Sequence, residues 1–157
     1  MTLEVVQGSN GPDGPRSAAQ PRGMPARGNG LNALVVDDEP SICKAMQRAL
    51  TAAGYTVVVA QSGESALATI RDEHVDVMLI DLRIPDMRGD IVFELAAAIQ
   101  PHLAYQTLFM TGDITDNAQV LIGACKCPYL QKPFHLNDLI DALAAIAPKA
   151  KSVVGSR

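Results

Sequence analysis

Six residues able to do chemistry stand immediately after short apolar runs. Asp37, Asp38 and Glu39 follow LNALVV (31–36), Asp81 follows VDVMLI (75–80), Thr111 follows QTLFM (106–110) and Lys132 follows PYLQ (128–131). Carboxylates brought together repel, so such a cluster is costly unless one is protonated or a cation is bound. An oxygen-only set suits Mg²⁺, which accepts few protein carboxylates and keeps positions for water and phosphate oxygens. A carboxylate beside that ion can attack phosphorus and become an aspartyl phosphate, while an ammonium and a hydroxyl hold the phosphoryl oxygens. The residue types therefore point to phosphoryl transfer onto a protein carboxylate, provided the fold brings them to one place.

The pattern of elements does so. The four apolar runs, with YTVVVA (55–60), are strand candidates separated by amphipathic stretches. Ile42, Ala45, Met46, Ala49, Leu50 and Ala53 recur at helical spacing between Pro40-Ser41 and Gly54. Ser62 can cap a second helix containing Ala66, Leu67 and Ile70. Ile91, Phe93, Leu95, Ala98 and Ile99 mark a third that ends before Pro101, and Leu136, Leu139, Ile140 and Leu143 a last one to about Ile146. Between Thr115 and Ala124 the pattern predicts a short, loose fourth helix interrupted by Gly123. Five strands alternating with five helices predict an α/β fold, a doubly wound five-stranded parallel sheet with helices on both faces and strands buried on both sides. At this length the flavodoxin-like strand order 2-1-3-4-5 is the expectation, and its ligands bind beyond the carboxyl ends of the strands.

The segments LVVDDEP (34–40), LIDLRIPDMRG (79–89), FMTGD (109–113) and YLQKPF (129–134) resemble, in order and spacing, those of the receiver domain of two-component response regulators. The resemblance covers about residues 31–148. It implies that Asp81 accepts a phosphoryl group, that Asp38, Asp81 and the Arg83 carbonyl ligate Mg²⁺, and that Asp37 acts mainly through water. It also implies that Thr111 and Lys132 bind phosphoryl oxygens, that Gly112 leaves room for them, that Lys132-Pro133 is a cis peptide, and that Tyr129 is an aromatic switch coupled to Thr111. Such a chain takes its phosphoryl group from a phosphohistidine on a histidine kinase or phosphotransfer protein and catalyses nothing beyond its own phosphorylation and slow dephosphorylation. Arg83 and Asp113, each two residues past a site residue, border the route of attacking water. The sequence departs from the family where Cys125 and Lys126 replace a small Gly-Ala pair before Tyr129.

Simpler roles exist for single residues: Asp37–Glu39 suit a solvated helix-capping loop, Thr111 a turn, and Tyr129 a core position. Cys125 and Cys127 form an incomplete zinc set, and His74, His102 and His135 read as surface residues. A haloacid dehalogenase-type phosphohydrolase also uses an aspartyl nucleophile, but it wants a second Asp two residues later, where this chain has Arg83. A receiver fragment of a hybrid histidine kinase is the nearer alternative, with YLQKPF in its favour.

Composition sets the boundaries. The chain has 157 residues, and residues 1–30 hold 6 of its 12 glycines and 4 of its 10 prolines, which predicts a disordered tail. Residues 31–148 form one domain and 149–157 a flexible end, too short for a DNA-binding output module. Net charge is −4, and with Arg16, Arg22 and Arg27 against Glu4 and Asp13 in the tail, the remainder holds −5. An acidic domain does not suit nucleic acid. Three cysteines without a framework, and a start without signal-peptide character, predict a cytoplasmic location, and no apolar run suits a membrane span. Output then falls to contact with a downstream protein or to phosphate relay.

Overall fold

The computed structural model describes residues 28–112 and 116–148. The elements run β1 (Asn32–Val36), α1 (Pro40–Ala52), β2 (Thr56–Ala60), α2 (Gly63–Asp72), β3 (Val77–Asp81) and α3 (Gly89–Ile99). A 3₁₀ turn (Pro101–Ala104) precedes β4 (Thr107–Thr111), α4 (Asp116–Cys125), β5 (Tyr129–Gln131) and α5 (Leu136–Ile146). All neighbouring strands pair parallel, in the order β2-β1-β3-β4-β5. The doubly wound 2-1-3-4-5 sheet is as expected.

The period of two along each strand divides the core between the faces. Leu34, Val36, Met78, Ile80 and Phe109 pack with Ile70, Val92, Phe93 and Ile122 from α2, α3 and α4. The alternate residues Val35, Val77, Leu79, Leu108 and Met110 pack with Met46, Leu50, Leu139 and Leu143 from α1 and α5. Each such side chain contributes about 1.5–3 kcal/mol by leaving water, so the register of β1, β3 and β4 is held from both sides. Burial of every strand on both sides does not hold: β2 is half-buried and β5 exposed or half-buried, because each is an edge strand.

Helix ends also refine the expectations. Ser62 accepts a hydrogen bond from Ser65 N–H and caps α2 as anticipated. In α1 the N-cap is Glu39, without a side-chain cap, and Pro40 is the first helical residue. In α3 the buried residues include Val92, Phe93 and Ala96, whereas Ile91, Leu95 and Ile99 form an exposed stripe. Gly28 and Gly30 donate to the Ala53 and Gly54 carbonyls, so these residues, read from composition as tail, are bonded to the domain.

Candidate functional site

Parallel pairing puts every strand's carboxyl end on one rim, and backbone bonds at the strand ends fix the residues that stand there. Asp37 N–H donates to the Ala60 carbonyl, Leu82 N–H to Met110 and Lys132 N–H to Thr111. The rim therefore holds Asp37, Asp38, Asp81, Thr111 and Lys132 at neighbouring positions. Asp81 and Thr111 are the last residues of β3 and β4 rather than the first after them.

Lys132 is the hub. Its Nζ lies 2.7 Å from Asp37 Oδ2 and 2.8 Å from Asp81 Oδ2. The other oxygen of each carboxylate accepts the amide two residues on: Asp37 Oδ1 from Glu39 N–H at 3.0 Å, Asp81 Oδ1 from Arg83 N–H at 2.9 Å. Asp37 and Asp81 are buried, whereas Asp38 is exposed. Burial raises the Asp81 pKa above the ordinary carboxylate range, with the Lys132 and Arg83 bonds opposing it. Burial acts to lower Lys132, but its bonds to Asp37 and Asp81 outweigh that and hold the ammonium above its usual value.

Asp37, Asp38 and Asp81 each offer an oxygen within 4.8 Å of the others. This all-oxygen set fits a hard cation such as Mg²⁺. Glu39 is exposed and lies outside the group. Thr111 is 1 % exposed at the end of β4. A Cβ added at Gly112 would meet nothing nearer than Lys132 Cβ at 4.0 Å, and Asp81, Arg83, Gly112 and Lys132 line one open recess. The Lys132-Pro133 peptide is cis. Tyr129 is 45 % exposed on the edge strand, which sets aside the core position for it.

A model of the response regulator receiver domain matches residues 33–144. The chain belongs to that family. This receiver domain is 32% identical over 124 residues to the transcriptional regulatory protein TcrA of Mycobacterium tuberculosis, covering 77% of this chain and 47% of that protein. It is 32% identical to KdpE of the same organism, covering 71% and 49%. The chain thus spans about half the length of these relatives. Among solved structures, a CheY-like receiver domain protein from Methanospirillum hungatei superposes with a TM-score of 0.69 at 26% identity, covering 74% of this chain and 92% of the other. Vibrio cholerae chemotaxis protein CheY4 gives 0.68 at 27%, covering 74% and 98%.

Several features of this receiver domain were given no role by the sequence. Cys43 Sγ donates to the Asp37 carbonyl at 3.1 Å, and burial with the nearby Asp37 charge pushes its thiol up to about 11, so it stays a protonated donor. Gly89 is required by packing: a Cβ there would lie 2.4 Å from the Asp81 carbonyl oxygen. Asp86 bonds the N-terminus of α2, and Asp90 pairs with Arg88. Residues 113–115, which precede α4 and include Asp113, lie outside the described residues. α4 spans ten residues, and Lys126 after it has a φ of 61°, the left-handed conformation, where the family favours a small pair. His102 is not a plain surface residue: it is half-buried, its Nε2 2.6 Å from the Val75 carbonyl and its ring 5.0 Å from that of His74. His74 is exposed and pairs with Asp76, and His135 is exposed.

Proposed function

We propose that this receiver domain takes a phosphoryl group onto Asp81 from a phosphohistidine of a histidine kinase or phosphotransfer protein. The observation that carries this reading is the single ammonium of Lys132 bridging Asp37 and Asp81 beside Asp38. An Asp81 oxygen attacks phosphorus; the O–P bond forms as the N–P bond of the donor breaks, and the electron pair leaves with the imidazole, which takes up a proton. Asp38, Asp81 and the Arg83 carbonyl would hold Mg²⁺, with Asp37 acting mainly through water, and the ion would neutralise charge between carboxylate and phosphoryl oxygens. Lys132 exchanges its Asp81 contact for a phosphoryl oxygen, and Thr111 donates its hydroxyl to another. Gly112 keeps that side of the recess open.

Movement of Thr111 toward the phosphoryl group makes room for Tyr129 to turn inward, changing the surface formed by α4, β5 and α5. Output is contact with a downstream protein or relay of the phosphoryl group, so the chain modifies itself rather than a separate substrate. Its donor draws on ATP, which puts the reaction in the cytoplasm. The same chemistry serves a free-standing receiver or one within a hybrid kinase. A haloacid dehalogenase-type hydrolase is disfavoured by Arg83 in place of its acid.

Incubation with acetyl phosphate and Mg²⁺, followed by intact-mass measurement, tests the reading. Wild type gains one phosphoryl group, whereas Asp81→Asn and EDTA-treated wild type gain none. No gain by wild type, or an equal gain by Asp81→Asn, overturns it.

A further inference from the structure

The loop from Leu82 to Arg88 carries the Arg83 main chain past Asp81, so its placement decides where that carbonyl and amide stand. At its root it is closed on itself: Gly89 N–H donates to the Leu82 carbonyl, Arg83 and Arg88 form an antiparallel bridge, and Gly89 backs onto the Asp81 carbonyl without room for a Cβ. At its tip Asp86 reaches α2, with Oδ1 accepting from Gly63 N–H at 2.9 Å and Oδ2 from Glu64 N–H at 3.0 Å. These are two of the first-turn donors a helix cannot satisfy internally, and Ser62 Oγ takes the next, Ser65 N–H. Met87 packs so closely on Gly63 that a Cβ there would lie 2.7 Å from Met87 Cγ, so the approach of loop to helix depends on glycine.

We propose that Asp86 is a positioning residue: it fastens the Leu82–Arg88 loop to the N-terminus of α2 and so fixes the Arg83 main chain at the Asp81 site. The inference rests on the reading that Arg83 contributes a carbonyl to Mg²⁺. Asp86 touches neither the ion nor the phosphoryl group and acts through the loop. Its two acceptors match two amides of a different element, and its negative charge faces the positive end of the helix dipole. A carboxamide keeps one acceptor and loses the charge, so Asn at this position retains part of the clamp.

The test measures Mg²⁺ affinity by isothermal titration calorimetry for wild type, Asp86→Ala and Asp86→Asn. Alongside it run melting temperature without Mg²⁺ and the phosphorylation rate from acetyl phosphate across Mg²⁺ concentrations. Loss of a group that orients a metal ligand typically weakens binding by about tenfold or more. Asp86→Ala is expected to weaken Mg²⁺ binding by about that factor, Asp86→Asn less, and saturating Mg²⁺ to restore the rate of both to within about twofold of wild type. If Asp86→Ala lowers the melting temperature while Mg²⁺ affinity stays at the wild-type value, Asp86 is only a helix cap and the proposal is overturned. Absence of Mg²⁺ binding by wild type overturns both the metal reading and the clamp. Mg²⁺ binding by wild type that is unchanged in Asp86→Ala overturns the clamp alone.

Discussion

The Lys132 ammonium sits 2.8 Å from the Asp81 carboxylate, although the two residues are 51 positions apart in sequence. Because the same nitrogen also holds Asp37, one ammonium serves two buried carboxylates, and removing it leaves each with its backbone amide bond but without its lysine partner. Breaking a buried pair costs roughly 3–5 kcal/mol, and the 20% exposure of the Lys132 side chain puts this case at the lower end. Lys132→Ala should therefore melt at a lower temperature than wild type without Mg²⁺, and added Mg²⁺ should recover part of the difference. Thermal melts with and without the ion check this.

Asp38 is the exposed member of the acidic group and adds a third negative charge against one ammonium. Asp38→Ala should melt at a slightly higher temperature in metal-free buffer, by less than about 1 kcal/mol of stability because exposed charges are screened. It should also lose the stabilisation wild type gains from Mg²⁺. A lower melting temperature without Mg²⁺ would count against repulsion in the cluster.

The pH dependence has opposite signs at two aspartates. Burial raises the Asp81 pKa, so its ionised form opposes folding above the folded-state value, and that cost disappears as pH falls below the unfolded value. Asp90 is held low, first by its bond to Arg88, so its stabilisation is present above the unfolded carboxylate pKa and is lost as pH falls through the folded one. Asp81→Asn should accordingly be more stable than wild type at neutral pH without Mg²⁺, with the advantage shrinking in acid. Asp90→Asn should be less stable at neutral pH, with its deficit shrinking in acid. Denaturant titrations across pH measure both.

Most of the fold was legible because strands buried on both faces leave continuous apolar runs, and β1, β3 and β4 are such strands. Asp37, Asp81, Thr111 and Lys132 were legible because a parallel sheet collects strand ends on one rim. Asp86 and Gly89 fall inside the LIDLRIPDMRG segment, but their roles were not legible, since these depend on how the loop after β3 meets α2 and the Asp81 backbone. The stripe of Ile91, Leu95 and Ile99 misled for the complementary reason: helical spacing identifies a helix face, but the packing partner decides which face is buried.

Gly89 provides a sharp packing test. A methyl group there would enter the space of the Asp81 carbonyl and the Leu82 Cα, 2.8 Å away, and both are backbone. Gly89→Ala is expected to cost about 1–3 kcal/mol and to slow phosphorylation by moving Asp81, whereas Gly123→Ala, with nothing within 4 Å, should do neither. Melting curves and acetyl phosphate kinetics on the pair separate the two sites.

The N-terminal boundary can be set by truncation. Deleting residues 1–27 should leave the phosphorylation rate unchanged. Deleting 1–30 removes the Gly28 and Gly30 bonds to Ala53 and Gly54 and should cost about 1 kcal/mol or more. Rate and melting temperature of the two truncations check this.

The central claim, that Asp81 is the phosphoacceptor, is tested most directly by trapping the acyl phosphate. Borohydride cleaves an aspartyl phosphate and leaves homoserine at the modified position, which peptide mass spectrometry then locates. After treatment with acetyl phosphate and Mg²⁺, homoserine is predicted at position 81 and at no other aspartate, and in no peptide of Asp81→Asn. Homoserine at position 37 or 38, or at none, would contradict the account.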